Sequence, residues 1–366
     1  MLAQMLTIAT FATGLAGGGP PPHAGLGDAQ LVGQRLISGF EGERIPDSIR
    51  ERIRAGRLGG VVLFTSNFDS RAEAERLVRE LQGIPRPRGL RDPLLVMIDQ
   101  EGGLVKRLPG PPRLSAEQMG AAGVHACRRQ GKATAGLLRR TRINVDLAPV
   151  LDVARPGSVM DDENRSFGSN AGLVARCGGA FASALSRGGV IPTAKHFPGL
   201  GDAQLNTDSA VQRIELSKRA LRRLDERAYE GFIDRAGARG RIVMMSSAVY
   251  PAFSDRPAAF SRSLATVELR GRLGFRGVSI TDALETASTA AFGGPARAAK
   301  LAARAGTDLL LFAGLDAAKR AAKPLRELLD RRRSRERFLG SIQRILDLRA
   351  IAAARGVRAG VGSAAP

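Results

Sequence analysis

NAGLVARCGGAFASALSRGGVIPTAKHFPG, residues 170–199, holds two halves of a repeating unit. Val174, Phe181 and Leu185 recur at helical spacing, so the first half reads as an amphipathic helix opening at Asn170. After Gly188 and Gly189 the pattern changes to a short apolar run that ends on Lys195 and His196 and a Pro-Gly turn. A helix returning through glycines to an apolar strand is part of a parallel-sheet crossover.

Outward from this unit the pattern repeats. Strand-like runs are "RLISGF" from Arg35, "GGVVLFTSN" from Gly59, "LLVMIDQEGG" from Leu94 and "INVDLAPVLDV" from Ile143. "RIVMMSSAVY" from Arg241, "GVSITDA" from Gly277 and "TDLLLFAG" from Thr307 complete eight with the first. Amphipathic stretches separate them, as in "AEAERLVRELQGI", where Leu77, Leu81 and Ile84 share a stripe. The expectation is α/β class, a single (β/α)8 TIM barrel over residues 29–356. An open doubly wound sheet is the alternative; no strand leads into a G-x-G-x-x-G phosphate loop, which counts against it.

A chain of 366 residues with 43% hydrophobic content can bury such a core. The formal charge of +21 raises the question of nucleic acid, but the arginines are spread over most helices and aromatic residues are only 4%. Without stacking aromatics or a recognisable binding module, no nucleic-acid partner is expected. Cys127 and Cys177 fall on amphipathic stretches and read as buried thiols. His23, His125 and His196 lie in three separate segments, so no metal site is read.

"MLAQMLTIATFATGLAGGG" has the length and small-residue ending of a signal peptide without its basic start, so residues 1–28 read as a signal or a disordered leader. This favours secretion or the cell envelope over the cytoplasm. No later run reaches the length of a membrane span. A helical region, "SRERFLGSIQRILDLRAIAAARG", precedes a flexible tail over residues 357–366. The sequence does not speak to oligomeric state.

Chemistry on such a barrel belongs at the C-terminal ends of strands. Asp99 and Glu101 lie at the end of the third run and Arg107 follows it, Asp146 and Asp152 lie in the fourth, Arg165 lies beyond it, Lys195 and His196 end the fifth, and Asp282 ends the seventh. Asp146 alternates with apolar neighbours and reads as a structural carboxylate. Asp152 reads as a helix cap or as a support for the loop carrying Arg165. Asp99, Arg165, Lys195 and His196 supply the fixed donors and acceptors that sugar hydroxyls need, and Asp282 is the candidate anion beneath an anomeric carbon.

In this order, "MIDQEGG", "NVDLAPVLDV", "NRSFGS", "TAKHFPG" and "SITDAL" resemble the family-3 glycoside hydrolases, in their single-domain β-N-acetylhexosaminidase branch. The resemblance spans roughly residues 31–348. It implies a retaining hydrolase that removes terminal N-acetyl-β-D-glucosamine, often from peptidoglycan fragments, through a covalent glycosyl-enzyme and without a cofactor. Carried over by position, it implies Asp282 as nucleophile and Asp99, Arg107, Arg165, Lys195 and His196 as the sugar-binding shell.

The chain departs from the family pattern in one decisive place. The family's acid/base is a histidine in an Asp-Ser-His sequence after strand five, whereas this chain reads Asp208, Ser209, Ala210. Asp208 is a candidate surrogate acid/base and Asp202 another, both equally readable as loop-capping residues; a partner chain supplying the acid is a further option. Leu200 stands where the family usually has a histidine, and Leu104 where it usually has an arginine. A carbohydrate-binding protein without turnover, a phosphorylase or transferase, and a binder of anionic polymer stay open as alternatives.

Overall fold

The computed structural model describes residues 21–233 and 238–361, with side chains through residue 356. Residues 1–20, most of the expected leader, lie outside it, as do residues 362–366 of the expected tail. Each of the eight apolar runs contributes one strand to the main sheet: β1 Leu36–Ser38, β2 Gly60–Leu63, β3 Leu95–Ile98, β4 Val145–Asp146, β5 Ile191–Phe197, β6 Ile242–Met245, β7 Val278–Thr281 and β8 Leu310–Phe312. Neighbours in sequence are neighbours in the sheet, all parallel, and β8 pairs with β1. A single bridge between Ile280 and Leu309 joins the remaining edges, so the sheet closes into a (β/α)8 barrel.

The helices form for local reasons. In α1, Arg71–Gly83, the Ser70 hydroxyl accepts from Glu73 N–H at 3.2 Å and the Glu73 carboxylate accepts from Ser70 N–H at 3.0 Å. It buries Ala74, Leu77, Val78 and Leu81 on one stripe. Helices α2, Val124–Arg140, and α3, Ala171–Arg187, pack together and bury the free thiols of Cys127 and Cys177; Asn170 caps α3 by accepting from Leu173 N–H at 3.0 Å. The outer ring continues through α4, Gly294–Ala305, α5, Leu315–Arg326, and α6, Arg332–Val361. None of the described helices is long and apolar enough to cross a membrane.

There are two hydrophobic layers. One lies between strands and helices; the other fills the barrel axis with Ile37, Leu95, Met97, Val145, Ile191 and Ile280 among others. Ile345, Leu348 and Ala352 of α6 join the axial layer, so the last helix stoppers the floor of the barrel. Arg349 anchors it there, donating to the Leu90 carbonyl at 2.9 Å and the Pro93 carbonyl at 3.1 Å.

Candidate active site

The polar residues converge at the opposite end, around a cavity of about 550 Å³. Asp99 and Arg107 come from the segment after β3, Arg165 from the loop after β4, and Lys195 and His196 from the end of β5. Consecutive strand residues normally face opposite ways. Here the ladder between β5 and β6 shifts register between Ala194 and Phe197, and Lys195 and His196 both reach the cavity. Asp282, one residue past β7, lines it as well, with one carboxylate oxygen accepting from Ala283 N–H at 2.8 Å.

A buried ion network holds the shell. Lys195 Nζ lies 2.7 Å from Asp99 Oδ1 and 2.7 Å from Glu101 Oε1. Arg165 grips Glu101 with two parallel bonds, Nε to Oε2 at 3.0 Å and an outer nitrogen to Oε1 at 2.9 Å, and reaches Glu163 at 3.1 Å. Arg107 stands 3.7 Å from Asp99. Burial opposes ionisation of Glu101, but Arg165 and Lys195 outweigh it and hold its pKa down at about 2. The same carboxylates overcome the effect of burial on Lys195 and raise its pKa.

His196 is oriented from behind. Its Nδ1 lies 2.7 Å from Asp152 Oδ2, while Asp152 Oδ1 accepts the backbone N–H of His196 at 3.1 Å and of Leu200 at 2.7 Å. Burial alone would raise the Asp152 pKa; His196 and the two backbone donors lower it, so the ionised carboxylate fixes the proton on Nδ1 and leaves Nε2 as the ring's other polar atom. The Asp152 carboxylate thus fixes His196 and the start of the loop after β5, rather than the loop carrying Arg165. Asp146 is fully buried below the network, accepts from Gln100 N–H at 3.2 Å, and has its pKa pushed well up by burial.

The loop after β5 folds back over the mouth. Gly201 is required there because a Cβ would overlap the Val153 carbonyl. Asn206 Oδ1 accepts from Asp208 N–H at 2.9 Å, and the Asp208 carbonyl accepts from Ala287 N–H at 3.1 Å, tying the loop to the segment after β7. Asp208 lines the cavity on its inner side while its outer side stays exposed. Desolvation first and the nearby Asp282 second push its pKa up, against the pull of His196 and Arg165. Ala210 does not line the cavity, and Asp202 stands outside its lining, 3.5 Å from Arg155.

The five residues expected to form a sugar-binding shell all line this cavity, joined in ways that their spacing in the sequence does not show. Glu101 was noted without a role, although it bridges Lys195 and Arg165. Glu163 and Glu285 were not singled out, yet both line the cavity; Glu285 accepts from Ala313 N–H at 3.1 Å and Gly314 N–H at 3.0 Å. Of the two departures, Leu200 is buried in the wall and Leu104 is exposed at the rim.

This network predicts an acid limb in stability. Glu101 binds fewer protons in the folded chain than in the unfolded one between its ordinary pKa of 4.5 and about 2. Its contribution is therefore complete above pH 4.5 and is lost as pH falls towards 2. Urea midpoints should drop across that window. Glu101→Gln should flatten part of the drop and cost roughly 3 kcal/mol at pH 7, since it leaves two buried cations with one anion fewer. An unchanged midpoint at pH 7 would show that the network carries no stability.

A barrel whose mouth gathers carboxylates, guanidinium groups, an ammonium and an imidazole around a cavity of this size has the makings of a carbohydrate-active enzyme. Residues 25–348 match the glycosyl hydrolase family 3 N terminal domain, and the chain belongs to that family of glycoside hydrolases. It is 40% identical over 297 residues, 79% of its length and 83% of the relative's, to an uncharacterized secreted glycosyl hydrolase of Arthroderma benhamiae. It is 33% identical over 282 residues, 74% of its length and 78% of the relative's, to a beta-hexosaminidase of Thioalkalivibrio sulfidiphilus.

Among solved structures, a family 3 beta-N-acetylglucosaminidase from a Paenibacillus species superposes with a TM-score of 0.81 at 32% identity, over 93% of this chain and 64% of that one. This chain therefore spans just under two thirds of that enzyme. A beta-N-acetylhexosaminidase from Beutenbergia cavernae superposes with a TM-score of 0.80 at 31% identity, over 89% of this chain and 99% of that one.

Proposed function

We propose that the protein is a retaining β-N-acetylhexosaminidase that removes terminal N-acetyl-β-D-glucosamine, with peptidoglycan fragments among its substrates, and that residues 29–356 form its catalytic domain. What carries the reading is the shared cavity, in which Asp282 faces the shell of Asp99, Arg107, Arg165, Lys195 and His196 with Asp208 at the lip. The names of the relatives support the sugar.

In the first step a carboxylate oxygen of Asp282 attacks the anomeric carbon, and the bond from that carbon to the leaving oxygen breaks. Asp208, protonated, gives its proton to that oxygen. In the second step Asp208, now a carboxylate, takes a proton from water as the water's oxygen displaces Asp282 from the anomeric carbon. The raised pKa of Asp208 supports the acid role, and the charge repulsion from Asp282 behind that shift eases once Asp282 is esterified.

The test is release of dinitrophenol from its N-acetyl-β-glucosaminide, beside the same assay with Asp282→Asn. Saturable binding of N-acetylglucosamine without release would overturn the hydrolase reading in favour of a sugar-binding barrel. Ala210→His should raise kcat/KM on poor leaving groups by up to about 10²-fold, the lower range for a positioned acid. Because residue 210 does not line the cavity in this loop position, no gain would mean that the loop does not carry it inward.

A further inference from the structure

Away from the mouth, two adjoining clefts of about 620 and 690 Å³ share Lys300 and Arg304. One is also lined by Arg256, Arg262 and Arg297, the other by Arg331, Arg333 and Arg337. We infer that this continuous cationic track is a docking surface for a linear anionic glycan, one carrying carboxylate, sulfate or phosphate groups along its chain.

The track has a built geometry. Arg297, Lys300 and Arg304 are three and four residues apart on α4, so they share one face and span roughly 10 Å along the axis. Arg333 and Arg337 are similarly related on α6. The Ser254–Pro257 strand that carries Arg256 follows β6, at the catalytic end of the barrel, whereas Arg35, in the floor of the second cleft, precedes β1 at the opposite end. The track therefore descends the side of the molecule from one end of the barrel to the other.

Its charge is largely uncompensated. Lys300 pairs with Glu327 at 2.5 Å, and Asp330 is the other acid of the lower cleft; the described lining of the upper cleft contains none. Adjacent arginines are neutralised, Arg332 by Glu336 at 3.1 Å and Arg335 by Asp28 at 3.4 Å. Arg297, Arg304, Arg331, Arg333 and Arg337 are exposed and have no carboxylate partner among the described residues. Like charges at helical spacing repel, and a polyanion relieves that repulsion while releasing its own counterions.

The lining also selects the kind of polyanion. Its two phenylalanines, Phe260 and Phe338, are buried, so no ring is offered for stacking bases or entering a bilayer. Ser254 and Ser263, both partly exposed, add polar side chains suited to a hydroxyl-rich chain. The choice of a glycan rests on the hydrolase reading given above; the track itself does not.

The experiment compares three forms of the full chain on immobilised heparin and polygalacturonate: the native protein, a track variant (R297E, R304E, R333E, R337E) and a charge-matched control. The control reverses the exposed Arg54, Arg88, Arg128 and Arg129 to Glu. At fixed low salt the track variant should bind about 100-fold more weakly than the native protein and the control within a few-fold of it, with dinitrophenyl glycoside turnover alike in all three. Equal losses in both variants would overturn the inference in favour of net charge. Tighter native binding to an oligothymidylate, or to vesicles of anionic phospholipid, than to either glycan would overturn the choice of partner. Strong retention of heparin alone identifies sulfate as the group read, and retention of both resins identifies anionic groups generally. Because binding is read without turnover, a failure here and a failure of the hydrolase reading are distinguishable.

Discussion

Asp282→Asn should abolish turnover of N-acetyl-β-glucosaminides, a fall on the order of 10⁴-fold or more in kcat, because losing a covalent participant removes a step rather than a contact. The amide keeps the volume of the carboxylate and its oxygen can still accept from Ala283 N–H, now at 2.8 Å, so the end of β7 should hold its shape. Sugar affinity should change little, since the shell comes from other strands. Isothermal titration with N-acetylglucosamine beside the dinitrophenol assay separates the two effects. Persisting turnover would remove Asp282 from the mechanism, and lost binding together with lost turnover would make it a shell residue.

Asp208→Ala should lower kcat/KM by about 10²- to 10⁴-fold on glycosides with poor leaving groups and leave release of dinitrophenol nearly unchanged in the first step. A leaving group that departs as a stable anion needs no proton. Desolvation, and then the nearby Asp282, raise the pKa of Asp208 from its ordinary value. Activity on poor leaving groups should therefore decline as pH rises through that raised pKa, because only the protonated form donates. The variant should lose this alkaline limb. An unchanged profile would exclude Asp208 and turn attention to an acid from another chain.

The barrel was legible because strands buried on both faces must be apolar from end to end, and eight such runs stood out between amphipathic stretches. That Asp99, Arg165, Lys195, His196 and Asp282 meet around one cavity was legible because the C-terminal ends of parallel barrel strands converge on one face. Pairing was not. That Glu101 bridges Lys195 and Arg165 depends on how the ends of β3 and β5 and the loop after β4 meet above the barrel, and local spacing does not encode it. Asp152 read as a cap or a loop support, and its hold on His196 appears only when Val150 lies beside Lys195 in the ladder. The final helix was legible as a helix, but its residues could not reveal that Ile345 and Leu348 point into the barrel axis.

That stopper has a consequence for traffic. With the axis filled by side chains and α6 seated across the floor, the described residues leave no passage through the barrel. Whatever enters the mouth must leave by it. With the mouth as the single doorway, incoming and outgoing molecules share one route, and each must clear it before the next can enter. Turnover at high product concentration then becomes a question of how fast the doorway clears.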